Sequence, residues 1–257
     1  MLGWFQKRRR KKYLTQPWPD SWSDILRRNV RLVQGLSETE FEALRGRMQV
    51  FVAEKFWEGC RGLELTEEMK VTIAAQAGLM LLGVDDFYFD NVKTILVYPQ
   101  SFRRQSDSGW LIDEEHRSGE AWQGGPIVLS WRDVVYGGRN QGDGRNLVIH
   151  EFAHALDGLD GEMGGNVSFE DEAMMERWKM VVTSEYHALL LAVRQGRHTF
   201  LDPYAATNMA EFFAVTSEMY FEEPYQLSQH HADLFQLLQA YYRVNPMDWQ
   251  QASLNAN

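Results

Sequence analysis

Two histidines stand four residues apart in the stretch Asn146-Leu147-Val148-Ile149-His150-Glu151-Phe152-Ala153-His154-Ala155-Leu156-Asp157, and a glutamate follows the first. On a helix, residues four apart share a face about one turn from each other. His150 and His154 can therefore offer two imidazole nitrogens to one tetrahedral ion. Glu151 stands beside them, within reach of a water on such an ion without ligating it. His-Glu-x-x-His is the arrangement in which zinc peptidases hold their metal and use the glutamate as general base. The competing reading is a buried helix with two hydrogen-bonded histidines. It requires this pairing to arise by chance among the seven histidines of the chain.

A catalytic zinc takes three protein ligands and keeps one position open for water. With Cys60 the lone cysteine, the third ligand must be a histidine or a carboxylate. Asp160 lies just past the motif. An extended motif would put Gly at position 157 and His at 160, where this chain has Asp157 and Asp160. The other source is the segment Asn208-Met209-Ala210-Glu211-Phe212-Phe213-Ala214-Val215-Thr216-Ser217-Glu218. There Glu211 and Glu218 lie two turns apart on nearly one face, so either could ligate while the other orients a histidine ring. Each also has an ordinary role: Glu211 follows Asn208 by three, as in a capping box, and Glu218 could be a solvated helix carboxylate. Residue types alone leave the choice open.

The elements that must position these groups follow from periodicity. Leu147, Val148, Phe152, Ala155 and Leu156 recur at helical spacing around the histidines. Asp143 and Asn146 are candidate N-caps, Gly158 a candidate stop, and the glycine-rich 137–144 run a loop. Upstream, 23–33 is helical, Ser37-Glu38-Thr39-Glu40 opens a helix to about 53, and Thr66 starts an alanine-rich helix to about 82. Phe56-Trp57 reads as a short extended or connecting piece. Val92 to Tyr98, Trp110-Leu111-Ile112 and Ile127 to Trp131 are strand candidates, the last an expected sheet edge. Downstream, 169–194, 208–221 and a segment opened by Pro224 are helical, with His230-His231 expected at the solvent face. The expected fold is α+β and mostly helical, with a small mixed sheet preceding the metal-binding helix. Residues 1–20 are expected to form a basic flexible tail, and 21–257 a single domain with helical extensions at both ends.

Composition narrows the function classes. The formal net charge is -10, yet six basic residues fall within 7–12. Outside that run, 20 Lys+Arg face 36 Asp+Glu, an acidic body that argues against direct nucleic-acid binding. No apolar run follows the basic cluster as a secretory signal requires, and the longest mostly apolar stretch, 73–84, is too short to cross a bilayer. The lone cysteine fits a reducing compartment, so the expected location is cytoplasmic.

The segment His150 to Asp157, followed by Tyr204 and then Glu211-Phe212-Phe213-Ala214, resembles the Mlc titration factor A (MtfA) family of bacterial zinc peptidases. The resemblance covers roughly residues 18–249. A tyrosine seven residues ahead of Glu-Phe-Phe-Ala is also similar to the catalytic domain of anthrax lethal factor. The resemblance implies a zincin-like fold with His150, His154 and Glu211 as Zn2+ ligands, Glu151 as general base and Tyr204 as donor to the developing oxyanion. It further implies aminopeptidase-type activity on short peptides. It also implies binding of the glucose repressor Mlc, which relieves repression of sugar-phosphotransferase genes. The competing class is a repressor-titrating binding protein whose metal site is structural or incidental. Glu151 weighs against it, because a structural zinc has no use for a general base.

Overall fold

The structure, a computed structural model, describes residues 2–100, 125–160, 164, 165, 167, 169 and 171–255. Helices α1 (Leu2–Leu14), α2 (Asp20–Asn29) and α3 (Glu38–Glu54) come first, with a 3-10 turn at Arg31–Gly35. Strand β1 (Phe56–Gly59) and helix α4 (Glu67–Leu79) follow, then β2 (Thr94–Tyr98) and β3 (Ile127–Ser130). Helices α5 (Trp131–Arg139), α6 (Leu147–Asp157) and α7 (Glu172–Arg194) precede α8 (Met209–Glu222), α9 (Pro224–His230), α10 (Ala232–Tyr242) and α11 (Pro246–Asn255). The architecture is α+β and mostly helical.

The caps read from the sequence are in place. Ser37 accepts from the Glu40 amide while the Glu40 carboxylate accepts from the Ser37 amide, a reciprocal capping box. The same carboxylate accepts from Trp249 Nε1 at 2.8 Å, pinning α11 to the start of α3. Thr66 caps α4, which is buried along nearly its whole length. Its small residues allow close approach: a Cβ on Gly78 would meet Leu44 of α3 at 2.7 Å.

The described strands run in order β1-β2-β3, all parallel rather than mixed. Parallel neighbours need crossovers, and α4 supplies the one between β1 and β2. Ile95, Val97, Ile127 and Leu129 point into the core. Among the described strands, β3 and β1 lie at the two ends of the order, β1 having been expected only as an extended or connecting piece. The expected strand at Trp110-Leu111-Ile112 lies outside the described residues. Buried side chains from Trp22 to Trp249 form one contiguous cluster.

Four further expectations are corrected. The basic segment is a docked helix, not a solvated tail: Arg10 is 8% exposed and pairs with Glu54 at 2.8 Å and with Asp90, its guanidinium 4.4 Å from the Tyr88 ring centroid. Those partners lie 44 and 80 residues away, beyond any local pattern. The glycine-rich run is helical through Arg139, because Ser130 ends the strand and caps α5 through the Asp133 amide. The segment after Pro224 breaks at His231, which hydrogen-bonds Glu185 of α7 at 2.9 Å instead of facing solvent. A further helix, α11, follows Pro246.

Between α4 and β2, a loop is held from within by a buried lysine. Lys55 Nζ donates to the carbonyls of Tyr88 (2.8 Å), Phe89 (2.7 Å) and Val92 (3.0 Å). Burial pushes its pKa down to about 8, so at neutral pH it is still the ammonium, with three donors for three acceptors. Lys55→Met would take the ammonium from three carbonyls, of which Phe89 keeps the Val92 amide at 2.9 Å, at an expected cost of roughly 2–4 kcal/mol. Urea unfolding measures this, and a loss below about 1 kcal/mol would show that water replaces the ammonium. The loop also reaches the motif helix: Asn91 Nδ2 donates to the Ala155 carbonyl at 2.6 Å.

Candidate metal centre

Asn146, not Asp143, caps α6: its side-chain oxygen accepts from the Ile149 amide at 3.1 Å. Gly158 follows as the stop. Val148, Ile149, Phe152 and Ala153 are fully buried, and the Phe152 ring packs on Phe89 and Phe51 at 4.6 and 5.6 Å. With that face committed to the core, His150 and His154 turn toward α8, the helix packed most extensively on α6. Their Nε2 atoms lie 3.2 Å apart.

Helix α8 brings the carboxylates. Asn208 caps it by accepting from the Glu211 amide at 2.9 Å. The Glu211 carboxylate points at the histidines: its Oε2 is 3.1 Å from His150 Nε2 and 3.4 Å from His154 Nε2. Glu218, two turns on, lies behind His150. Its Oε1 accepts from His150 Nδ1 at 2.7 Å and its Oε2 from the Asn146 amide at 2.6 Å. One carboxylate thus fixes both a ring orientation and the start of the helix that carries the ring. Asn146 Nδ2 donates to Glu222 Oε1 at 2.9 Å, a second tie between the same helices. Asp160 closes the 3-10 turn after α6, and its side chain lies outside the described residues.

Because Nδ1 of His150 is spent on Glu218, a neutral ring presents a lone pair at Nε2. That lone pair faces a carboxylate oxygen and a second imidazole nitrogen. Three acceptors converging on one point are mutually repulsive without a cation or protons between them. The titration behaviour reflects this. Burial works against a charged His150, but Glu218 and Glu211 outweigh it and hold the ring well above its ordinary pKa. Burial would raise Glu211, yet its bonds to His150 and His154 pull it far below the usual carboxylate range. Glu151 is different: burial pushes it up, and the two histidines only partly offset that. Burial also holds Glu222 well above the glutamate range, against the Asn146 amide.

Tyr204 sits in the 3-10 turn Pro203–Ala206, capped by Asp202, which accepts from the Tyr204 amide at 2.9 Å. Its ring centroid is 6.2 Å from that of His150, the planes inclined by 36°. Arg145, one residue before the cap of α6, pairs with Asp202 at 3.0 Å and ties this turn to the motif helix. All five residues singled out from the sequence therefore lie at one place. Asn146, seen only as a cap, and Glu222 and Arg145, not singled out, support them. Glu222 had one signal: it stands four after Glu218, directly behind Met219-Tyr220-Phe221, where a solvated carboxylate would be unusual.

The pattern of a known family, glucose-regulated metallo-peptidase M90, matches residues 4–243. The chain belongs to this M90 family. The match begins inside α1, earlier than the resemblance drawn from the motifs. Among similar proteins, uncharacterized protein slr2042 of Synechocystis sp. (strain PCC 6803) is 36% identical over 245 residues, covering 93% of this chain and 89% of its own. Mlc titration factor A of Escherichia coli strain 55989 is 29% identical over 259 residues, 96% of this chain and 93% of its own. The protein of the same name from Salmonella agona is 28% identical over 242 residues, 90% and 88% respectively. Membership of M90 implies a metal ion, and His150, His154 and Glu211 are the described group whose ligand atoms converge for one. Their chemistry fits: two imidazole nitrogens and one carboxylate oxygen make a set for a borderline divalent cation.

Proposed function

We propose that this M90 chain is a cytoplasmic zinc-dependent peptidase of aminopeptidase type that also binds the repressor Mlc. The observation that carries the catalytic half is the triangle of His150 Nε2, His154 Nε2 and Glu211 Oε2, with edges of 3.1, 3.2 and 3.4 Å, beside Glu151. Ligand atoms of a tetrahedral zinc with bonds of 2.0–2.1 Å are about 3.3 Å apart. Held by these three residues, zinc would supply a Lewis acid that polarises the scissile carbonyl and acidifies a water to a pKa near about 7.

The chain's own residues supply the proton handling and the charge stabilisation. Glu151 accepts the proton of the attacking water and returns it to the leaving amine. A carboxylate lifted toward working pH by burial suits both halves of that transfer. Glu218 holds His150 with Nε2 directed at the metal position. Tyr204 donates its phenol to the carbonyl oxygen as negative charge develops there. A donor that acts mainly in the transition state affects kcat more than KM. Tyr204→Phe keeps the ring and removes only the hydroxyl. We expect unchanged metal content and a kcat lower by about 10²–10³. Wild-type kcat would make Tyr204 a packing residue, and lost metal would make its hydroxyl part of the metal site.

Two assays test the finer claims. Peptide amides with free amino termini should be cleaved while their N-acetylated forms are not, and equal cleavage of both would exclude the aminopeptidase reading. The Mlc half rests on the name carried by the Escherichia coli and Salmonella relatives. Calorimetry with purified Mlc should detect binding to wild type and to Glu151→Gln alike. No binding to wild type would refute this half. Loss confined to a folded Glu151→Gln protein would move the partner surface onto the metal centre.

A further inference from the structure

Helix α1 carries six consecutive cations, Lys7 to Lys12, and no acidic residue. Its inner face docks on the body through Gln6, which donates to Asp90 at 2.9 Å, and through Arg10 with Glu54 and Asp90. Lys7 and Arg9 pair with Asp86 and Glu54 at the flank, and Lys7 remains 76% exposed. The opposite face is different. Trp4, Arg8 and Lys12 repeat at four-residue spacing, so they share one outward stripe, with Phe5 and Lys11 beside it. Trp4 is 60% and Phe5 63% exposed, their rings edge to face at 5.1 Å. The Arg8 guanidinium lies 5.6 Å from the Trp4 ring centroid. Among the described residues Arg8, Lys11 and Lys12 have no acidic partner.

Two large aromatic rings exposed to water lose apolar burial that a lipid interface would restore, and the cations beside them suit the same interface. There, rings sit in the headgroup boundary and Lys and Arg meet phosphates. We propose that the outward face of α1 docks on an anionic lipid bilayer. Trp4 and Phe5 enter the boundary at one end, and Arg8, Lys11 and Lys12 lie over the headgroups. Charge complementarity selects this occupant. Outside residues 7–12 the chain carries 20 Lys+Arg against 36 Asp+Glu, so the cationic surface is confined to this one helix face. A nucleic-acid groove would need cations from neighbouring elements to follow a phosphate backbone. A planar headgroup layer needs one helix face, about 20 Å long for thirteen residues. No described helix is long and apolar enough to cross a membrane, so the contact is peripheral.

The test is co-sedimentation of the full chain with sucrose-loaded vesicles at about 0.1 M salt, where exposed charges still act within about 10 Å. Vesicles of phosphatidylcholine mixed with phosphatidylglycerol should carry the protein down, and phosphatidylcholine alone should not. Arg8→Gln/Lys11→Gln/Lys12→Gln should weaken binding about a hundredfold. Trp4→Ser/Phe5→Ser should weaken it about tenfold or more. Both variants alter exposed side chains, so melting temperature and helical circular dichroism should stay at wild-type values. Binding by a charge-neutralised protein as tight as wild type would overturn the proposal, as would equal binding to both vesicle types. So would binding to a single-stranded oligonucleotide without binding to anionic vesicles, which would assign the face to nucleic acid.

Discussion

Glu151→Gln is expected to keep its metal and lose peptidase activity by about 10²–10⁴, the range that positioned proton transfer contributes. Glutamine matches glutamate in shape, and Glu151 is not among the three residues whose ligand atoms converge. The substitution therefore removes the proposed base and leaves the three converging residues intact. The carboxylate is half-buried and pushed upward in pKa by that burial, with His150 and His154 pulling the other way. Activity on a peptide amide and metal content by atomic emission are measured on the same preparation. Undiminished turnover would remove Glu151 from the reaction. Loss of metal together with activity would give it a structural part instead.

The second large effect concerns the proposed third ligand. Glu211→Ala removes the carboxylate oxygen that completes the triangle, leaving two imidazoles and an adjacent Glu218 already engaged with His150 and Asn146. Losing an outer hydrogen bond of a metal site costs about 10–100-fold in affinity, and losing a ligand should exceed that. Asp160→Ala should leave affinity near wild type. Competition with a chromogenic chelator ranks the three proteins. If Asp160→Ala releases the metal and Glu211→Ala retains it, the site is built from one helix and its following turn, and α8 has another role.

How much of this was legible beforehand follows the sequence distance of each interaction. The motif helix was readable because its histidines, its cap at Asn146 and its stop at Gly158 all lie within one short segment. The capping box at Ser37 and the cap at Thr66 are local in the same sense. The carboxylate facing the histidines was not readable from residue types, since Glu211 stands 61 residues from His150 and Glu218 shares its helix face. The motif resemblance favoured Glu211, and the geometry turns Glu211 toward both Nε2 atoms and Glu218 behind the ring. The basic amino-terminal segment was misread because charge runs repel themselves unless distant acids arrive, and Glu54 and Asp90 do. The described strands are parallel for a related reason: strand direction is set by the crossover, and α4 makes the crossover between β1 and β2.

The most direct test of the central claim is metal analysis of the purified wild-type chain, paired with peptide hydrolysis before and after chelation. About one zinc per chain is expected. Hydrolysis should fall to background when the zinc is removed and return when zinc is restored. A metal-free protein that hydrolyses the peptide at the wild-type rate would contradict the assignment of this centre.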